Sequence, residues 1–312
     1  MRILVMGTGG LGGYFGGLLA RAREEVTFVA RGAHLRALQS SRLQVKSEDG
    51  DYAVAVRATD HPREAGPVDL VLFTVKTYDV EAAGEAIRPV IGPQTAVLCL
   101  QNGVETEDRL GTLIGPESIL GGVTYVFAAI DAPGIVRHTG RPGRIIFGEM
   151  DGRISPRVRA VEAVLQKAGI NVEVTSEIVR ILWDKFVFIC AAGGMTAITR
   201  VPLGEVYAHT ESREMLRGLM EETAAVGTAR GVRLEGAVDR HMAFVEDLIR
   251  GAGYHTRASL FNDLAAGRRL ELDALCGAVV RMGREAGVPT PLSFAVVAAL
   301  RPYERRAAAH GR

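Results

Sequence analysis

Residues 2–12 read Arg-Ile-Leu-Val-Met-Gly-Thr-Gly-Gly-Leu-Gly, a short apolar run that leads into a cluster of glycines. The apolar run predicts a buried β-strand, and the pattern Gly7-x-Gly9-x-x-Gly12 then opens a helical stretch that extends to about residue 22. In such a turn the first glycine permits a tight bend, the second lets a pyrophosphate approach the backbone, and the third lets the helix pack on the sheet. The predicted dinucleotide-binding residues are Gly7, Thr8, Gly9, Gly10, Leu11 and Gly12. A glycine-rich turn that serves only packing is the alternative.

The residue after the second strand indicates which dinucleotide binds. The second apolar run, residues 26–30, is followed by Arg31. An NAD site usually carries Asp or Glu about 20 residues beyond the glycine motif, where it binds the ribose hydroxyls. A guanidinium at this place pairs with a 2′-phosphate, which a carboxylate would repel. We therefore predict NADP(H) rather than NAD(H), with a solvated turn arginine as the alternative.

The first half of the chain alternates between β-rich and helical runs. Residues 69–75 and 95–99 are nearly all apolar and predict strands that are covered on both faces. Helical runs at about 78–88 and 104–110 follow them, and this rhythm predicts βαβ units and a parallel sheet.

The pattern changes between residues 125 and 147. Short β runs are separated there by Asp131-Ala-Pro-Gly134 and by Gly140-Arg-Pro-Gly143, which are too short to be helical crossovers. These residues predict an antiparallel meander of three strands. A helix at about 155–168 and a strand near 172–175 complete this half.

From about residue 177 onward the apolar residues recur only at helical spacing. The predicted helical segments are 177–198, 212–230, 236–250, 257–265, 271–286 and 292–308. The sequence therefore predicts an α/β protein with an N-terminal Rossmann-type NADP-binding domain, residues 1–177, followed by an all-helical C-terminal domain for substrate and dimerisation, residues 178–312.

Composition excludes several classes of protein. The 312 residues include 37 Lys+Arg and 36 Asp+Glu, a formal charge of +1, which argues against nucleic acid and anionic membranes as partners. The longest later apolar run, residues 186–198, is shorter than the roughly 20 residues of a membrane span. We expect a soluble protein without a membrane partner.

The cysteines and histidines give no metal signature. Cys99, Cys190 and Cys276 are too far apart in sequence for a zinc set, and no two histidines have His-x-x-x-His spacing. Each cysteine lies in an apolar run, so we expect buried free thiols, no metal site and a reducing cytoplasmic location.

One lysine lies in unusually apolar surroundings. Lys185 belongs to the stretch Leu182-Trp-Asp-Lys-Phe-Val-Phe-Ile-Cys190. Desolvation disfavours an ammonium and lowers its pKa towards the range of a general acid, which reduction of a ketone requires at the developing alkoxide. The alternative is a lysine at a domain boundary whose charged end reaches water.

Several polar residues are further candidates. Glu271 and Asp273 are two apart on the predicted helix, so one can face a cleft while the other faces solvent; the alternative is a pair of N-terminal helix acids. Asn102, in Gln-Asn-Gly, and Lys76 follow predicted strands at their carboxyl ends, where parallel sheets bind ligands. An Asn-Gly turn and a sheet-capping lysine are the respective alternatives.

Taken together, these motifs resemble the ketopantoate reductase (2-dehydropantoate 2-reductase) family over nearly the whole length. The motifs that carry the resemblance are Gly7-x-Gly-x-x-Gly12, Phe73-Thr-Val-Lys76, Gln101-Asn-Gly103, Leu182-Trp-x-Lys185, Thr196-Ala-Ile-Thr199, Ser259-Leu-x-x-Asp263, Glu271-x-Asp273 and Ala286-Gly-Val-Pro-Thr290.

The resemblance implies a role for each matching residue. Lys185 would be the general acid that protonates the carbonyl oxygen as hydride arrives from NADPH. Glu271 would hydrogen-bond the substrate, and Ser259 would contact its carboxylate. Asn102 would bridge cofactor and substrate.

The resemblance also implies the cofactor side and the reaction. Lys76 and Arg31 match cofactor positions, and the active site of the family lies between the two domains. The reaction would be NADPH-dependent reduction of a 2-oxo acid, foremost ketopantoate in pantothenate and coenzyme A synthesis. Homodimers are common in the family.

The sequence departs from the family beside the lysine. Family members commonly carry asparagines four and eight residues after it, where this chain has Ile189 and Gly193. Two fewer polar groups should weaken a preference for a hydroxylated substrate. Two substrates therefore stay open: ketopantoate handled by other contacts, or a related, less polar 2-oxo acid. Independently of this departure, a 3-hydroxyacid or glycerol-3-phosphate type of dehydrogenase and a non-enzymatic NADP-binding regulator are the alternative functions.

Overall fold

A computed structural model describes residues 1–310 of the chain. The chain divides into two compact units. The N-terminal unit comprises Met1–Gln101 and Glu105–Ile178, and the helical unit comprises Asn102–Val104 and the residues from Val179 onward.

The N-terminal unit contains one mixed β-sheet. Its strands are β1 (Arg2–Met6), β2 (Glu25–Val29), β3 (Leu43–Ser47), β4 (Tyr52–Val54), β5 (Arg57–Thr59), β6 (Leu70–Phe73), β7 (Ala96–Cys99), β8 (Ile119–Ala132), β9 (Ile135–Glu149) and β10 (Asn171–Val174). The strand order is β4-β3-β9-β8-β7-β6-β1-β2-β5, and β10 pairs with β9. The helices of this unit are α1 (Gly10–Arg21), α2 (Gly32–Ser40), α3 (Val80–Ile87), α4 (Thr106–Ile114) and α5 (Pro156–Lys167).

The parallel strands are buried on both faces. Along β1, Ile3 and Val5 join one hydrophobic core while Leu4 and Met6 join another, because successive side chains of a strand point to opposite faces. Helix α1 contributes to the first core, and α3 and α4 contribute to the second. The chain leaves β1 towards β2 on one side and returns to β6 on the other. The carboxyl end of β1 is therefore the switch point where ligands bind in such sheets.

The predicted three-stranded meander was wrong in its second turn. Strands β8 and β9 form one long antiparallel hairpin, and the predicted turn at residues 140–143 lies within β9. Between the pairs Tyr125–Arg144 and Phe127–Thr139, β8 advances by two residues (127 − 125) while β9 advances by five (144 − 139). The extra residues form a bulge. Glycine and proline occur both in bulges and in turns, so the sequence did not distinguish the two.

A buried histidine holds this bulge to β3. The ring of His138 lies 2.8 Å from Ser47 Oγ through Nδ1 and 3.0 Å from the Arg141 carbonyl through Nε2. Because a carbonyl only accepts, Nε2 carries the hydrogen and Nδ1 accepts from the Ser47 hydroxyl. The imidazole thus joins two segments that are far apart in the sequence.

The helical unit contains most of α6 (Ile178–Thr199) together with six further helices among the described residues. These are α7 (Leu203–Ala208), α8 (Thr210–Ala229), α9 (Ala237–Ile249), α10 (Ser259–Ala265), α11 (Cys276–Ala286) and α12 (Pro291–His310). The predicted fold class, a Rossmann-type domain followed by an all-helical domain, is confirmed. The predicted start of a helix at Glu271 was wrong, because residues 272–274 form a single 3₁₀ turn and α11 begins at Cys276.

Helix α6 is the core element of this unit. Among the residues that the structure describes, it is the one helix that is long and apolar enough to cross a membrane. The length of the longest uninterrupted apolar run had predicted no membrane-spanning helix. Of its most hydrophobic 18 residues, 67% are buried. Phe186, Val187 and Cys190 lie in a hydrophobic core with residues of the other helices, as expected for the central helix of a helical domain.

A carboxylate of α8 caps the start of α12. Glu222 Oε1 accepts from the Leu292 N–H at 2.7 Å, and Oε2 accepts from the Ser293 N–H at 2.8 Å and from the Ser293 hydroxyl at 2.7 Å. The first N–H groups of a helix have no partner within the helix and attract negative charge. Glu222 therefore anchors α12 to α8.

We expect Glu222→Ala to lower the free energy of unfolding by about 2 kcal/mol, because it removes three hydrogen bonds to a carboxylate. Glu221→Ala is the matched control, since the neighbouring carboxylate is exposed and lies 3.9 Å from Arg217. This control should change stability by less than about 0.5 kcal/mol. Chemical denaturation followed by circular dichroism measures both variants, and equal losses would show that the cap contributes nothing specific.

Candidate active site

The turn after β1 is shaped by glycine and by one threonine. Gly7 has φ +100°, a conformation that favours glycine. Thr74 Oγ1, at the carboxyl end of β6, donates to the Gly7 carbonyl at 2.7 Å. A Cβ on Gly12 would lie 2.3 Å from the Gly7 carbonyl oxygen and 2.6 Å from Thr74 Oγ1. The third glycine of the motif is thus required by the close approach of α1 to the turn.

The other residues of the motif have different surroundings. Thr8 is buried, and both its N–H and its hydroxyl donate to the Val29 carbonyl at 2.9 Å, so its side chain holds the turn to β2. Leu11 packs against the core beside α1. A Cβ on Gly10 would lie 2.2 Å from the Ala128 carbonyl oxygen of β8. Thr8, Gly10 and Leu11 therefore have packing roles in addition to any ligand contact.

Gly9 is different, because a Cβ built on it would meet no atom within 4 Å. Gly9 is the N-cap of α1, and the first turn of this helix carries no acidic residue. Free backbone N–H groups and the positive end of the helix dipole therefore face open space, as a pyrophosphate requires. The residues present fit a dinucleotide.

Arg31 lies where the ribose end of a dinucleotide would be expected. It is the N-cap of α2, two residues after the end of β2, and its side chain is exposed. The first turn of α2 also lacks acidic residues. The hairpin between β8 and β9 contacts the same helix, since the Gly134 N–H donates to His34 Nδ1 at 3.1 Å, and burial lowers the pKa of His34.

Two more candidates follow β6 and β7. Lys76 comes three residues after β6 and precedes a 3₁₀ turn at Thr77–Asp79. Gln101 Nε2 donates to the Phe73 carbonyl at 2.9 Å and so links the carboxyl ends of both strands. The opposite atom, Gln101 Oε1, is buried without a hydrogen bond among the described residues, so this amide can accept one from a ligand.

The helical unit brings Asn102 to Lys185. Lys185 Nζ donates to Asn102 Oδ1 at 2.9 Å, although the two residues are 83 positions apart. Burial lowers the pKa of Lys185 from its ordinary 10.5 to about 8. This direction of the pKa shift agrees with the apolar surroundings seen in the sequence, and Asn102 is one partner of the ammonium.

The structure separates Glu271 from Asp273. Glu271 is 9% exposed and lies directly before the 3₁₀ turn. Asp273 is more exposed and pairs with Arg301 at 2.5 Å, and this hydrogen bond holds the pKa of Asp273 below its usual range. The two acids do differ in exposure, although a turn and not a helix sets them apart.

The remaining predicted residues lie on α6 and α10. Ile189 and Gly193 are four and eight residues after Lys185, which places the three on one face of α6. Ser259 is the exposed first residue of α10. Gly193 is buried, and a Cβ on it would lie 3.8 Å from Leu260 Cβ of α10. A methyl group at this position would therefore be in ordinary van der Waals contact with α10.

Sequence reasoning assigned no role to Thr74, Gln101 or Leu260. Thr74 and Gln101 belong to quoted motifs, and a polar side chain directly after a buried strand was the available signal. Leu260 gave no signal, because its contact with α6 depends on tertiary packing.

Comparisons with known proteins agree with this arrangement. The family model "Ketopantoate reductase PanE/ApbA" matches residues 3–152, and the model "Ketopantoate reductase PanE/ApbA C terminal" matches residues 177–304. The chain belongs to the ketopantoate reductase family. The resemblance found in the sequence is thereby confirmed, and the chain is an oxidoreductase that acts on CH–OH groups, in a family whose cofactor is NADP(H).

Relatives of the family cover the chain almost completely. A 2-dehydropantoate 2-reductase of Mesorhizobium japonicum is 34% identical over 96% of this chain and 97% of its own length. The crystal structure of a PanE/ApbA family ketopantoate reductase from Ralstonia eutropha JMP134 has a TM-score of 0.90 at 33% identity, over 99% of this chain and 100% of that one. D-mandelate dehydrogenase with NADH and anilino(oxo)acetate has a TM-score of 0.89 at 23% identity, over 98% of each chain, which shows a shared fold.

Metal chemistry has no candidate site within residues 1–310, since no group of three or more His, Cys, Asp and Glu residues is placed to hold an ion. The three cysteines are buried and free, as the sequence predicted.

Substitutions at two glycines should separate cofactor binding from folding. We expect Gly9→Ala to fold normally but to weaken NADP(H) binding at least about tenfold, because the new methyl group occupies the space of the pyrophosphate. Gly12→Ala should instead lower the free energy of unfolding by about 3 kcal/mol through its clash with the Gly7 carbonyl. Fluorescence titration and thermal denaturation measure the two effects. Wild-type affinity in Gly9→Ala would place the pyrophosphate elsewhere.

Proposed function

We propose that the protein reduces a 2-oxo acid to the 2-hydroxy acid with NADPH, and that Lys185 is the general acid. The proposed substrate is 2-dehydropantoate, which yields pantoate for pantothenate and coenzyme A biosynthesis. The observation that carries the proposal is the bond from Lys185 Nζ to Asn102 Oδ1 together with the lowered pKa of this lysine. Several relatives bear the name 2-dehydropantoate 2-reductase, which supports ketopantoate reduction in general.

The proton balance of the reaction follows from the state of Lys185. When bound, NADPH supplies the hydride that reaches the C2 ketone. The carbonyl oxygen then develops negative charge, and the ammonium of Lys185 gives it a proton. A pKa of about 8 leaves most of the side chain protonated at pH 7 while making it a better acid than an ordinary lysine. The products are the 2-hydroxy acid, the oxidised cofactor and a neutral lysine that regains a proton from water.

Three further residues complete the proposed substrate site. Asn102 uses its carbonyl oxygen for Lys185, so its amide N–H groups remain to bind cofactor or substrate. Glu271, buried beside the 3₁₀ turn, would accept a hydrogen bond from the substrate. Ser259, at the first turn of α10, would donate to the substrate carboxylate.

The proposed cofactor residues lie at the carboxyl ends of β1, β2 and β6. They are Gly7, Thr8, Gly9, Gly10, Leu11, Gly12, Arg31, Lys76 and, from the helical unit, Asn102. Arg31 favours NADPH because an exposed guanidinium pairs with the 2′-phosphate and no acidic residue opposes it in the first turn of α2. Within this proposal residues 1–177 bind NADP(H), and residues 178–312 bind substrate and form a homodimer in the cytoplasm.

A less polar 2-oxo acid is a second candidate substrate. The face of α6 that carries Lys185 continues with Ile189, which packs against the hydrophobic core, and with the buried Gly193. Leu260 lies across from Gly193. An apolar wall of this kind offers no hydrogen bond to a substrate hydroxyl and suits a branched alkyl group.

The direct test follows NADPH absorbance with ketopantoate and with a panel of other 2-oxo acids, and NADH serves as the cofactor control. Rapid oxidation with ketopantoate supports the first candidate. Turnover of only an apolar 2-oxo acid supports the second candidate and keeps the mechanism. Binding of NADPH without turnover of any 2-oxo acid contradicts the proposal.

We expect Lys185→Ala to lower kcat by about 10²- to 10⁴-fold with unchanged NADPH affinity, because the proton donor is lost but the cofactor residues remain. In the wild type, kcat should fall as the pH rises above about 8, since the acid form of Lys185 is then depleted. Lys167→Ala, which removes an exposed lysine paired with Glu24, is the control and should behave like the wild type. Full activity of Lys185→Ala would remove this lysine from the mechanism.

We expect Ile189→Asn to shift substrate preference towards the hydroxylated acid. The ratio of kcat/KM for ketopantoate to that for 3,3-dimethyl-2-oxobutanoate, which lacks only the hydroxyl oxygen, should rise about tenfold, because the amide supplies a hydrogen bond that Ile189 lacks. Ile189→Leu keeps the wall apolar and should leave the ratio unchanged. An unchanged ratio in Ile189→Asn would show that this face does not set specificity.

A further inference from the structure

The residue before Lys185 is held by a histidine of the neighbouring helix. His241, on α9, places Nε2 2.7 Å from the Asp184 carbonyl oxygen and 3.3 Å from Asp184 Oδ2. Because a carbonyl only accepts, Nε2 carries a hydrogen and donates it to α6. This bond reaches the backbone of the helix, so it restrains the position of α6 itself.

The carboxylate of Asp184 has a second partner in the same helix. Arg240 Nη2 lies 2.9 Å from Asp184 Oδ1. Burial alone would raise the pKa of Asp184, but the hydrogen bonds and charges of His241 and Arg240 outweigh it and hold this pKa below its usual range. The two contacts differ in burial, because the side chain of His241 is 15% exposed and that of Arg240 is 56% exposed.

His241 also contacts the end of the same helical turn. Its ring stacks on Phe188 with centroids 5.7 Å apart and planes at 24°. Phe188 in turn meets Phe244 of α9 edge-on at 5.5 Å. In an α-helix the N–H of residue 188 bonds the carbonyl of residue 184, so His241 contacts both ends of the turn that contains Lys185.

We propose that His241 is a positioning residue that holds the 184–188 turn of α6 and thereby keeps the Lys185 ammonium directed at Asn102. The proposal rests on the proposed function of Lys185. A lysine side chain has several rotatable bonds. The position of its ammonium is therefore fixed only if its backbone and its hydrogen-bond partner are both held in place. Loosening the turn admits water to Lys185 and weakens the bond to Asn102.

Three variants isolate this role. His241→Leu removes the donor to the Asp184 carbonyl, and His241→Gln restores an N–H donor of similar reach. Arg240→Ala is the matched control, because it removes the exposed partner of the same carboxylate and leaves the backbone contact in place.

The readout is the titration of Lys185 itself. The chain has four lysines, Lys46, Lys76, Lys167 and Lys185, so ¹³C-lysine labelling gives four Cε signals, and Lys185→Arg identifies the one that matters. We expect His241→Leu to raise the pKa of Lys185 from about 8 towards its ordinary 10.5, because burial causes the lowered value and the water admitted to the ammonium outweighs the weakened bond to Asn102. His241→Gln and Arg240→Ala should titrate like the wild type. In turnover, kcat of His241→Leu should fall about tenfold with an unchanged KM for NADPH.

Two outcomes would overturn the proposal. One is a Lys185 titration in His241→Leu that matches the wild type, whatever happens to thermal stability. The other is an equal shift in Arg240→Ala, which would assign the effect to charge on Asp184. If the wild type turns over no 2-oxo acid, the proposed function fails, and the titration still tests the placement of Lys185.

Discussion

The fold depends on the close approach of α1 to the turn that leaves β1. The Gly7 carbonyl and the hydroxyl of Thr74 occupy the volume that a Cβ on Gly12 would need. Because α1 packs this closely against the turn, its N-terminus lies at the carboxyl end of β1, between β2 and β6. One packing constraint therefore shapes the sheet's switch point and creates the opening beside Gly9.

Local chemistry made the parallel strands and the glycine turn predictable, because each is encoded by adjacent residues. Strands β3, β4 and β5 and helix α2 were not predicted. Strands β3 and β5 pair with β9 and β2, which lie elsewhere in the chain, whereas β4 has three residues and pairs with its neighbour β3. The bulge in β9 resembled a turn because glycine and proline interrupt pairing in both. At the site, the sequence predicted that Glu271 and Asp273 face different surroundings, but it placed both on a helix, and the 3₁₀ turn that follows Glu271 has no signal in the periodicity.

For Lys185, the sequence predicts the effect of burial but not the orientation of the side chain. Its apolar neighbours along α6 are enough to predict a lowered pKa, since burial disfavours the ammonium wherever the partners lie. The direction of its ammonium could not be predicted, because Asn102 lies 83 residues away and His241 lies on a helix that sequence alone does not pair with α6. Desolvation is therefore readable from the chain, whereas orientation is a property of the folded unit.

The apolar composition that places α6 in the core also has a consequence during synthesis, before the helix is buried. A 22-residue helix of this composition resembles a segment that the membrane-insertion machinery accepts. Asp184 and Lys185 oppose such insertion, since an ionised side chain costs up to about 2.5 to 3.5 kcal/mol at the centre of an inserting helix. The two adjacent charges that Arg240 and Asn102 bind in the folded unit thus also disfavour insertion of this helix into a membrane.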